Sequence, residues 1–366
     1  MKSKHLLLFL FAALFFFNSC HVGRFFYWNF ADSKDYKKFH SLPLAASDKP
    51  FHFFDRTDGK QLSLNIKTDS THTIPFEKLL TNNKTVGFLI LRNDTILYEK
   101  YFLGRNAESY NPSFSVSKSY VSALIGIAIG EGKIGSAKDP ITKYLPELTQ
   151  DFFKSVTIEH LLNMESGLYF NESYTNPFGG VAKFYYGRNL NKYVKKLSYE
   201  CPPGEKYDYK SANTQLLAMI LERATGQKLS SYLEEKIWKP CGMEYDASWS
   251  VDSKKHKTVK AFCCLNARAR DFAKFGRLYL KKGNWNGKQI IPESWVNETT
   301  ALPKPGKTFW YHYQWRVGNQ GDYFAAGVLG QYIYVYPAKN IIMVRMGKKS
   351  GHIGWFSFFR KVAEQL

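Results

Sequence analysis

The chain has 366 residues, of which 44% are hydrophobic, 17% aromatic and 22% charged. This composition excludes a disordered or collagen-like chain, and the length suits one large domain or two ordinary ones. The 51 Lys and Arg residues against 31 Asp and Glu give a formal net charge of +20. Because the basic residues are scattered and form no nucleic-acid-binding motif, the charge indicates a basic solvated surface and no nucleic-acid partner.

The first twenty residues are typical of a targeting segment. Lys2 and Lys4 precede an apolar run at 6–17, which is short for a bilayer span but suits a signal peptide. The run leads into Asn-Ser-Cys20, which is similar to a bacterial lipoprotein cleavage site, where the cysteine receives the lipid. We therefore expect residues 1–20 to be a lipoprotein signal and the body to be membrane-anchored outside the cytoplasm, in the periplasm or at the cell surface. The alternative is an uncleaved signal anchor, which puts the body on the same side.

After the targeting segment, the first two thirds of the chain are predicted to contain a β-hairpin followed by several helices. Residues 21–80 mix short aromatic, charged and apolar pieces, and we interpret them as a tether and N-terminal extension packed on the main domain. Two β-rich runs at 86–92 and 95–101 flank the pair Asn93-Asp94, which predicts a β-hairpin. Apolar residues at helical spacing predict several helices after this hairpin. The predicted helical segments are 116–130, 156–163, 214–225, 229–237 and 266–282, with a short capped segment at 140–148.

The end of the chain returns to strands. Runs at 332–336 and 341–346 predict a second hairpin-like pair, and a final helix is expected at 355–365. Because strands lie early and late with helices between them, we expect an α/β (α+β) fold. Its antiparallel sheet would come from both chain ends and be flanked by helices, with a helical domain inserted. The main domain, 81–366, would then comprise a sheet part at about 81–112 and 265–366 and a helical part at about 113–264.

Several kinds of functional site find no support in the sequence. It has no Gly-x-Ser-x-Gly, P-loop, His-Glu-x-x-His, Gly-x-Gly-x-x-Gly or Cys-x-x-Cys motif. The nine His residues are scattered singly, and each fits a surface or core position better than a ligand. We therefore expect no metal and no organic cofactor. Besides Cys20 the chain has four Cys residues, which are too few for a disulfide framework and could be paired or free: Cys201, Cys241, Cys263 and Cys264.

One motif that could carry out catalysis remains. It is the pair Ser115 and Lys118 in the only Ser-x-x-Lys of the chain. The motif opens the apolar segment 116–130, so Ser115 would lie at a helix N-terminus, where unpaired N–H groups stabilise a developing anion. Lys118 is one helical turn along on the same side. It could take or hold the hydroxyl proton that serine must lose to become a nucleophile. Taken alone, the motif fits an N-cap serine with a surface lysine better than a catalytic pair.

The surroundings of this motif resemble the serine β-lactamase-like superfamily, which contains class C β-lactamases, D-Ala-D-Ala peptidases and related esterases. The resemblance covers about 86–346 and consists of stretches in the same order along the chain. The Tyr-x-Ser at 209–211 and the Gly-x-x-Gly-Gln at 327–331 are similar to the 6-aminohexanoate-dimer hydrolase branch and the class C-like esterases. The matching stretches are 114–120, 130–134, 140–147, 157–168, 202–213, 224–243, 265–280 and 313–337.

This resemblance implies a serine hydrolase with the β-lactamase/penicillin-binding-protein-like fold. Ser115 would be the acylated nucleophile and Lys118 its proton partner. Tyr209 would relay protons in acylation and deacylation, since a nearby ammonium can make a phenol a usable base. The oxyanion hole would consist of the backbone N–H groups of Ser115 and Val328, and Gly327 would let the substrate backbone approach closely.

The sequence departs from the family pattern at several positions. Ser211 stands where class C enzymes carry Asn, and Asn213 could supply the amide instead. Ala325 replaces a cation that helps β-lactamases and peptidases to hold the substrate carboxylate, which favours esters or amides without an α-carboxylate near the scissile bond. Glu165 replaces the usual Thr or Ser. Tyr174 lies in a segment similar to the one where nylon-oligomer hydrolases place a second active-site Tyr, although a loop aromatic residue fits equally well.

The sequence thus predicts an extracytoplasmic serine hydrolase that forms a covalent acyl-enzyme on ester or amide bonds of small, peptide-like substrates. The membrane, reached through the N-terminal lipid or anchor, would be its other partner. One alternative is a sensor or scaffold of the same fold that acylates slowly or not at all. Turnover of a substrate would distinguish an enzyme from such a protein. Another is a basic protein that binds anionic surfaces, whose retention on them would depend on salt.

Overall fold

The computed structural model describes residues 21–28, 30–56, 62, 64–67, 73–302 and 309–366. The predicted signal segment at 1–20, with the proposed lipid attachment at Cys20, lies outside the described residues. None of the helices that are described is long and apolar enough to cross a bilayer.

Strands occur near both ends of the described chain, as predicted. Those in the described residues are β1 (Ser41–Leu44), β2 (Phe54–Asp55), β3 (Asn65–Lys67), β4 (Thr73–Pro75), β5 (Thr85–Arg92), β6 (Thr95–Tyr101), β7 (Asn111–Pro112), β8 (Leu168–Tyr169), β9 (Ser198–Tyr199), β10 (Ala247–Ser250), β11 (Leu265–Ala267), β12 (Asn284–Trp285), β13 (Lys288–Gln289), β14 (Phe309–His312), β15 (Trp315–Gly318), β16 (Tyr323–Gly327), β17 (Gln331–Tyr336) and β18 (Ile341–Gly347).

Most of the helices lie between the early and the late strands. The α-helices of the described residues are α1 (His21–Trp28), α2 (Phe76–Asn82), α3 (Ser117–Gly130), α4 (Ile158–Leu162), α5 (Gly180–Tyr186), α6 (Leu190–Val194), α7 (Ser211–Thr225), α8 (Leu229–Leu233), α9 (Ala269–Leu280), α10 (Glu293–Thr299) and α11 (Trp355–Glu364). Short 3₁₀ turns occur at Asp35–Lys37, Phe114–Val116, Ile141–Lys143, Asp151–Ser155 and Pro337–Lys339, and a π-helical turn at Glu234–Trp238.

The main sheet has eight strands in the order β14-β15-β16-β17-β18-β5-β6-β2. Its centre joins the two ends of the chain, because β18 pairs antiparallel with β5 and places Ile341 opposite Arg92. The predicted hairpin forms β5 and β6. Its turn residues Asn93 and Asp94 both have positive φ, at 52° and 62°, as a tight two-residue turn requires. The predicted sheet built from both chain ends is therefore confirmed.

Helices cover both faces of this sheet, as β5 shows. Phe88 and Ile90 point to one face, where they belong to a core formed with α2 and α11. Leu89 and Leu91 point to the other face and join the larger core shared with the helical part of the chain. Successive side chains of a strand alternate between faces, so an uninterrupted apolar strand is the expected sequence for a sheet covered on both sides.

Helix α3 occupies the centre of the larger core. Every residue from 117 to 128 is buried, which explains why its apolar positions surround the helix instead of forming one stripe. A Cβ atom at Gly126 would lie 2.3 Å from a ring carbon of Trp295, so α10 packs directly on the helix backbone. The helix is fixed on all sides, and so is the turn that precedes it.

The predicted helix at 266–282 differs from the structure at its start. Residues 265–267 form β11, whose Asn266 pairs with Ser248 of β10 and Pro112 of β7, and α9 begins only at Ala269. The small sheet has the order β1-β10-β11-β7, so the N-terminal strand β1 also belongs to it. Pairing between distant segments here overrides the local helical pattern.

Candidate active site

Ser115 lies in the 3₁₀ turn Phe114–Val116, immediately before α3. The preceding residue, Phe114, has a φ of 45°, a conformation that costs a non-glycine residue about 1–3 kcal/mol and persists only where the surroundings impose it. Two hydrogen bonds attach this turn to the rest of the fold: Ser113 N donates to Leu265 O at 2.7 Å and Ser117 Oγ donates to Ala261 O at 2.9 Å. The fold therefore holds the Ser115 side chain, which is half-buried, in one place.

Lys118 is almost completely buried, with 1% of its surface exposed. An ammonium group has three N–H donors, and all three are used. Lys118 Nζ donates to Ser115 Oγ at 3.1 Å, to Ser211 Oγ at 3.3 Å and to the backbone oxygen of Phe262 at 2.7 Å. The structure thus brings the serine and lysine of the Ser-x-x-Lys motif into direct contact and excludes a surface lysine.

Tyr209 lies in the extended segment just before α7 and is half-buried. Lys118 Nζ is 5.1 Å from the centroid of its ring, and the Arg316 guanidinium carbon is 5.7 Å from the same centroid. The ring of Tyr311 meets the Tyr209 ring edge-on at 5.7 Å. Burial raises the pKa of Tyr311 well above its usual value, so this second tyrosine stays a neutral phenol. Of these two tyrosine rings, that of Tyr209 is the one against which Lys118 lies.

Glu172 was missed by the sequence reasoning, although it is two residues from the candidate Tyr174. Its two carboxylate oxygens accept hydrogen bonds from Ser211 Oγ at 2.6 Å and from Ser211 N at 2.8 Å. Tyr174 Oη donates to the same carboxylate at 3.3 Å. Burial raises the pKa of Glu172, while the charge of Lys118 and the hydrogen bonds from Ser211 oppose that rise. Ser211 thus links a carboxylate to the buried ammonium.

Of the two residues considered for the position of the class C asparagine, only Ser211 contacts Lys118. Asn213 is fully buried, and its amide accepts from Ser166 Oγ at 2.6 Å and donates to Met164 Sδ at 3.3 Å. Asn213 therefore braces the loop that carries Met164 and Ser166. The expectation that it could supply an amide to the site is wrong, because the helix turn that places Ser211 at the lysine directs Asn213 elsewhere.

Gly327 ends strand β16 directly against the candidate nucleophile. A Cβ atom at this position would lie 2.4 Å from Ser113 O and 3.1 Å from Ser115 N, so only glycine permits such a close approach. Val328, the next residue, lines the same space as Ser115. The structure thus brings the backbone of 327–328 to the N–H group of Ser115, where a two-donor oxyanion hole requires it.

Two cavities meet at Ser115, and each is also lined by Tyr174 and Val328. The first, which we call the apolar chamber, has a volume of about 310 Å³. Its other lining residues are Phe25, Phe30, Ala31, Phe114, Val181, Ala182, Tyr185, Tyr186, Ser211, Phe262, Cys263 and Leu329. The second, which we call the open groove, has a volume of about 430 Å³, and its other lining residues are Tyr209, Arg316, Phe324, Ala326, Gly327, Tyr332, Ile353, Gly354, Trp355 and Phe356.

Arg316 gives the open groove a cation that the sequence motifs do not predict. It lies on β15 opposite Phe324 of β16, next to the strand where Ala325 replaces the usual cation. Its guanidinium carbon is within 6 Å of three ring centroids, those of Tyr209, Tyr311 and Phe324. Among the described residues no carboxylate lies within ion-pair distance of it. The groove therefore offers guanidinium N–H groups to an anion.

The cysteines do not enter the candidate chemistry. Cys263 and Cys264 are joined to each other by a disulfide, whereas Cys201 and Cys241 are free. Burial raises the pKa of the Cys241 thiol, which makes it an inert core residue. In the described part of the chain, no group of three or more His, Cys, Asp or Glu side chains is placed to hold a metal ion.

Solved structures with the same fold include proteins that are described as hydrolases. A Bacillus anthracis protein whose name marks it as a candidate 6-aminohexanoate-dimer hydrolase superposes with a TM-score of 0.81 at 24% identity, over 89% of this chain and 91% of that one. EstCE1, described as a hydrolase with promiscuous acyltransferase activity, gives a TM-score of 0.63 at 16% identity, over 78% of this chain and 95% of its own. At these identities the likeness concerns the fold.

Sequence comparison gives the family. The 6-aminohexanoate-dimer hydrolase of Paenarthrobacter ureafaciens is 27% identical over 306 residues, which is 76% of each chain. The family model named Beta-lactamase matches residues 76–353, well over half of the chain and the part that contains Ser115, Lys118 and Tyr209. This chain is therefore a member of the Beta-lactamase family, a family of serine hydrolases with the β-lactamase/penicillin-binding-protein fold.

Proposed function

We propose that this protein is an extracytoplasmic serine hydrolase that cleaves ester or amide bonds of small substrates through a covalent acyl-enzyme. One observation carries the proposal: Lys118 Nζ lies 3.1 Å from Ser115 Oγ and 5.1 Å from the ring centroid of Tyr209. A serine hydroxyl is a weak nucleophile until a neighbouring base takes its proton, and half-buried Tyr209 beside the buried Lys118 is the base that we propose.

In the proposed acylation, Ser115 Oγ attacks the carbonyl carbon while its proton passes to the oxygen of Tyr209, which acts as the base in its phenolate form beside the Lys118 ammonium. The N–H groups of Ser115 and Val328 stabilise the oxyanion of the tetrahedral intermediate. The intermediate collapses, the bond to the leaving group breaks, and the leaving group departs with a proton from Tyr209. Water then attacks the acyl-enzyme with the same groups in reverse roles, which releases a carboxylic acid and restores the Ser115 hydroxyl.

The proposed location rests on the sequence of the first twenty residues. A basic start, an apolar run and the cysteine at position 20 are the pattern expected for a lipoprotein. We propose that Cys20 carries the lipid and that the enzyme works on the membrane surface. Mass spectrometry of the membrane-extracted protein tests this: a diacylglyceryl mass at Cys20 supports the proposal, and an N-terminus that begins at Met1 would show an uncleaved anchor.

Turnover separates an enzyme from a sensor of the same fold. Purified protein is mixed with p-nitrophenyl acetate, and the released p-nitrophenol is counted per molecule of protein. An enzyme gives a release that continues through many equivalents, whereas a slowly acylating sensor stops after one equivalent. We expect continued release, because Lys118 is hydrogen-bonded to Ser115 and Tyr209 lines the same groove, and these are the groups proposed to move protons in deacylation.

Glu172 is expected to act as a positioning residue through Ser211. In Glu172→Gln the amide oxygen keeps the hydrogen bond from Ser211 Oγ. The variant loses the negative charge that faces Lys118, and it loses one of the two acceptor oxygens. We therefore expect kcat to fall about tenfold with little change in KM. The pH profile gives a readout that a purely structural role would not move. Below the raised pKa of Glu172 the carboxyl is protonated, so wild-type kcat/KM should fall as the pH drops through it. A Gln variant that keeps this acidic limb would contradict the assignment.

Tyr209, the proposed proton donor to the leaving group, lines the open groove together with Arg316, so Arg316 predicts a preference for anionic leaving groups. The test compares the acetyl esters of 3-hydroxybenzoate and 3-hydroxybenzamide, which differ in one charge remote from the scissile bond. Wild type is expected to favour the carboxylate about tenfold in kcat/KM, and Arg316→Gln should bring the ratio of the two esters near one. Arg316→Lys, which keeps a charge but loses the planar fork, should preserve part of the preference. An equal ratio in wild type and Arg316→Gln would remove Arg316 from substrate recognition.

A further inference from the structure

The two cavities at Ser115 differ in whether Tyr209 lines them. Tyr209, the proposed proton donor to the leaving group, lines the open groove and not the apolar chamber. A general acid must lie within hydrogen-bond reach of the atom that it protonates, so the leaving group occupies the open groove. The acyl group of the same substrate, on the other side of the carbonyl carbon, is then directed into the apolar chamber.

Part of the chamber wall comes from outside the region that the family model matches. Phe25 of α1, Phe30 and Ala31 line the chamber, whereas the family match begins at residue 76. Helix α5 supplies the adjoining wall through residues such as Ala182 and Tyr186. The N-terminal segment 21–80, for which the sequence predicts a tether and extension packed on the main domain, thus also forms part of this chamber.

The N-terminal segment is firmly attached at this place. Arg24 Nε donates to Tyr186 O at 2.6 Å, and the rings of Phe25 and Tyr186 meet edge-on at 5.5 Å. Further along, Tyr185 Oη donates to the carboxylate of Asp35. These contacts join the segment to both aromatic residues of α5 that line the chamber, so the wall has a fixed position relative to Ser115.

We propose that Phe25, Phe30 and Ala31 complete an acyl-binding chamber that selects substrates with a compact apolar acyl group, such as a hexanoyl or phenylacetyl group. This inference rests on the proposed function. The lining is largely aromatic and aliphatic, so an apolar group gains by leaving water, while a charged or strongly polar acyl group would lose its hydration without finding partners. The volume of about 310 Å³ is near the lower end of the range for small-molecule sites, which sets the limit to compact groups.

The experiment measures kcat/KM for p-nitrophenyl acetate and p-nitrophenyl hexanoate, which share one leaving group. Wild type should favour the hexanoate about tenfold or more, because its extra methylenes are buried in the chamber. Ala31→Trp puts a large side chain on the chamber wall and should bring the ratio of hexanoate to acetate near one. Tyr27→Trp introduces the same side chain at a position that is 71% exposed and outside the chamber, and should leave the ratio as in wild type.

Phe30→Ala provides a second variant that is tolerated by the fold, since the Phe30 side chain is 55% exposed. Removing this wall should lower the hexanoate preference without changing the circular dichroism spectrum. An unchanged ratio in folded Ala31→Trp and Phe30→Ala would overturn the proposed chamber while leaving the hydrolase intact. If wild type hydrolyses neither ester, the failure lies in the proposed function itself, so the two failures are distinguishable.

Discussion

Ser115→Ala is expected to abolish hydrolysis and leave the fold intact. The Ser115 hydroxyl lines both cavities and accepts a hydrogen bond from Lys118, so its removal deletes the nucleophile and little packed volume. Loss of a serine nucleophile lowers kcat by a factor on the order of 10⁴ to 10⁶ in comparable enzymes. The measurement is steady-state release of p-nitrophenol, with circular dichroism and thermal unfolding to verify the fold.

Ser122→Ala provides the matched control. Ser122 lies on the same helix, is fully buried, and its Oγ has no hydrogen-bond partner among the described residues. Its replacement should therefore leave activity within a few-fold of wild type. If folded Ser115→Ala is as active as Ser122→Ala, another residue is the nucleophile.

Tyr209→Phe is the second change with a large expected effect. The substitution keeps the ring that lies against Lys118, Tyr311 and Arg316 and removes only the hydroxyl. Loss of a general acid–base group typically lowers the rate about 10²–10⁴-fold. The loss should be larger for an acetanilide than for a p-nitrophenyl ester, because an anilide leaving group needs a proton and p-nitrophenolate does not.

Tyr207→Phe separates this effect from a general change at the site. Tyr207 is two residues earlier, is 48% exposed and also packs on Tyr311, at 5.8 Å between ring centroids, but it lines neither cavity. Its variant should behave like wild type. Near-normal turnover of the anilide by folded Tyr209→Phe would remove Tyr209 from the mechanism.

The local parts of this fold could be predicted from the sequence. The pair Asn93-Asp94 between two apolar runs indicated the hairpin, and the apolar segment after Ser115 indicated the central helix. Lys118 is three residues from Ser115, so helical geometry alone placed the two side chains together. These features depend on neighbours in the chain, which is what periodicity and turn chemistry report.

The parts that could not be predicted depend on contacts between distant segments. Glu172 and Ser211 are 39 residues apart in sequence and meet only because a loop returns to α7. Arg316 reaches the groove from β15, the strand beside the one that carries Ala325. The motif shows that position 325 lacks the usual cation, but it does not show which side chain the neighbouring strand places there. Asn213 faces Ser166 instead of the lysine, because residues two positions apart on a helix point to roughly opposite sides and Ser211 is the one that meets Lys118.

Covalent labelling of Ser115 shows directly whether this serine is the nucleophile. Purified protein is incubated with a fluorophosphonate probe, and its intact mass is measured beside that of Ser115→Ala. We predict a single adduct on wild type and none on the variant, since only an activated serine attacks the phosphorus. A folded wild-type protein that gains no mass, or a Ser115→Ala variant that gains the same mass, would contradict the assignment of Ser115 as the nucleophile.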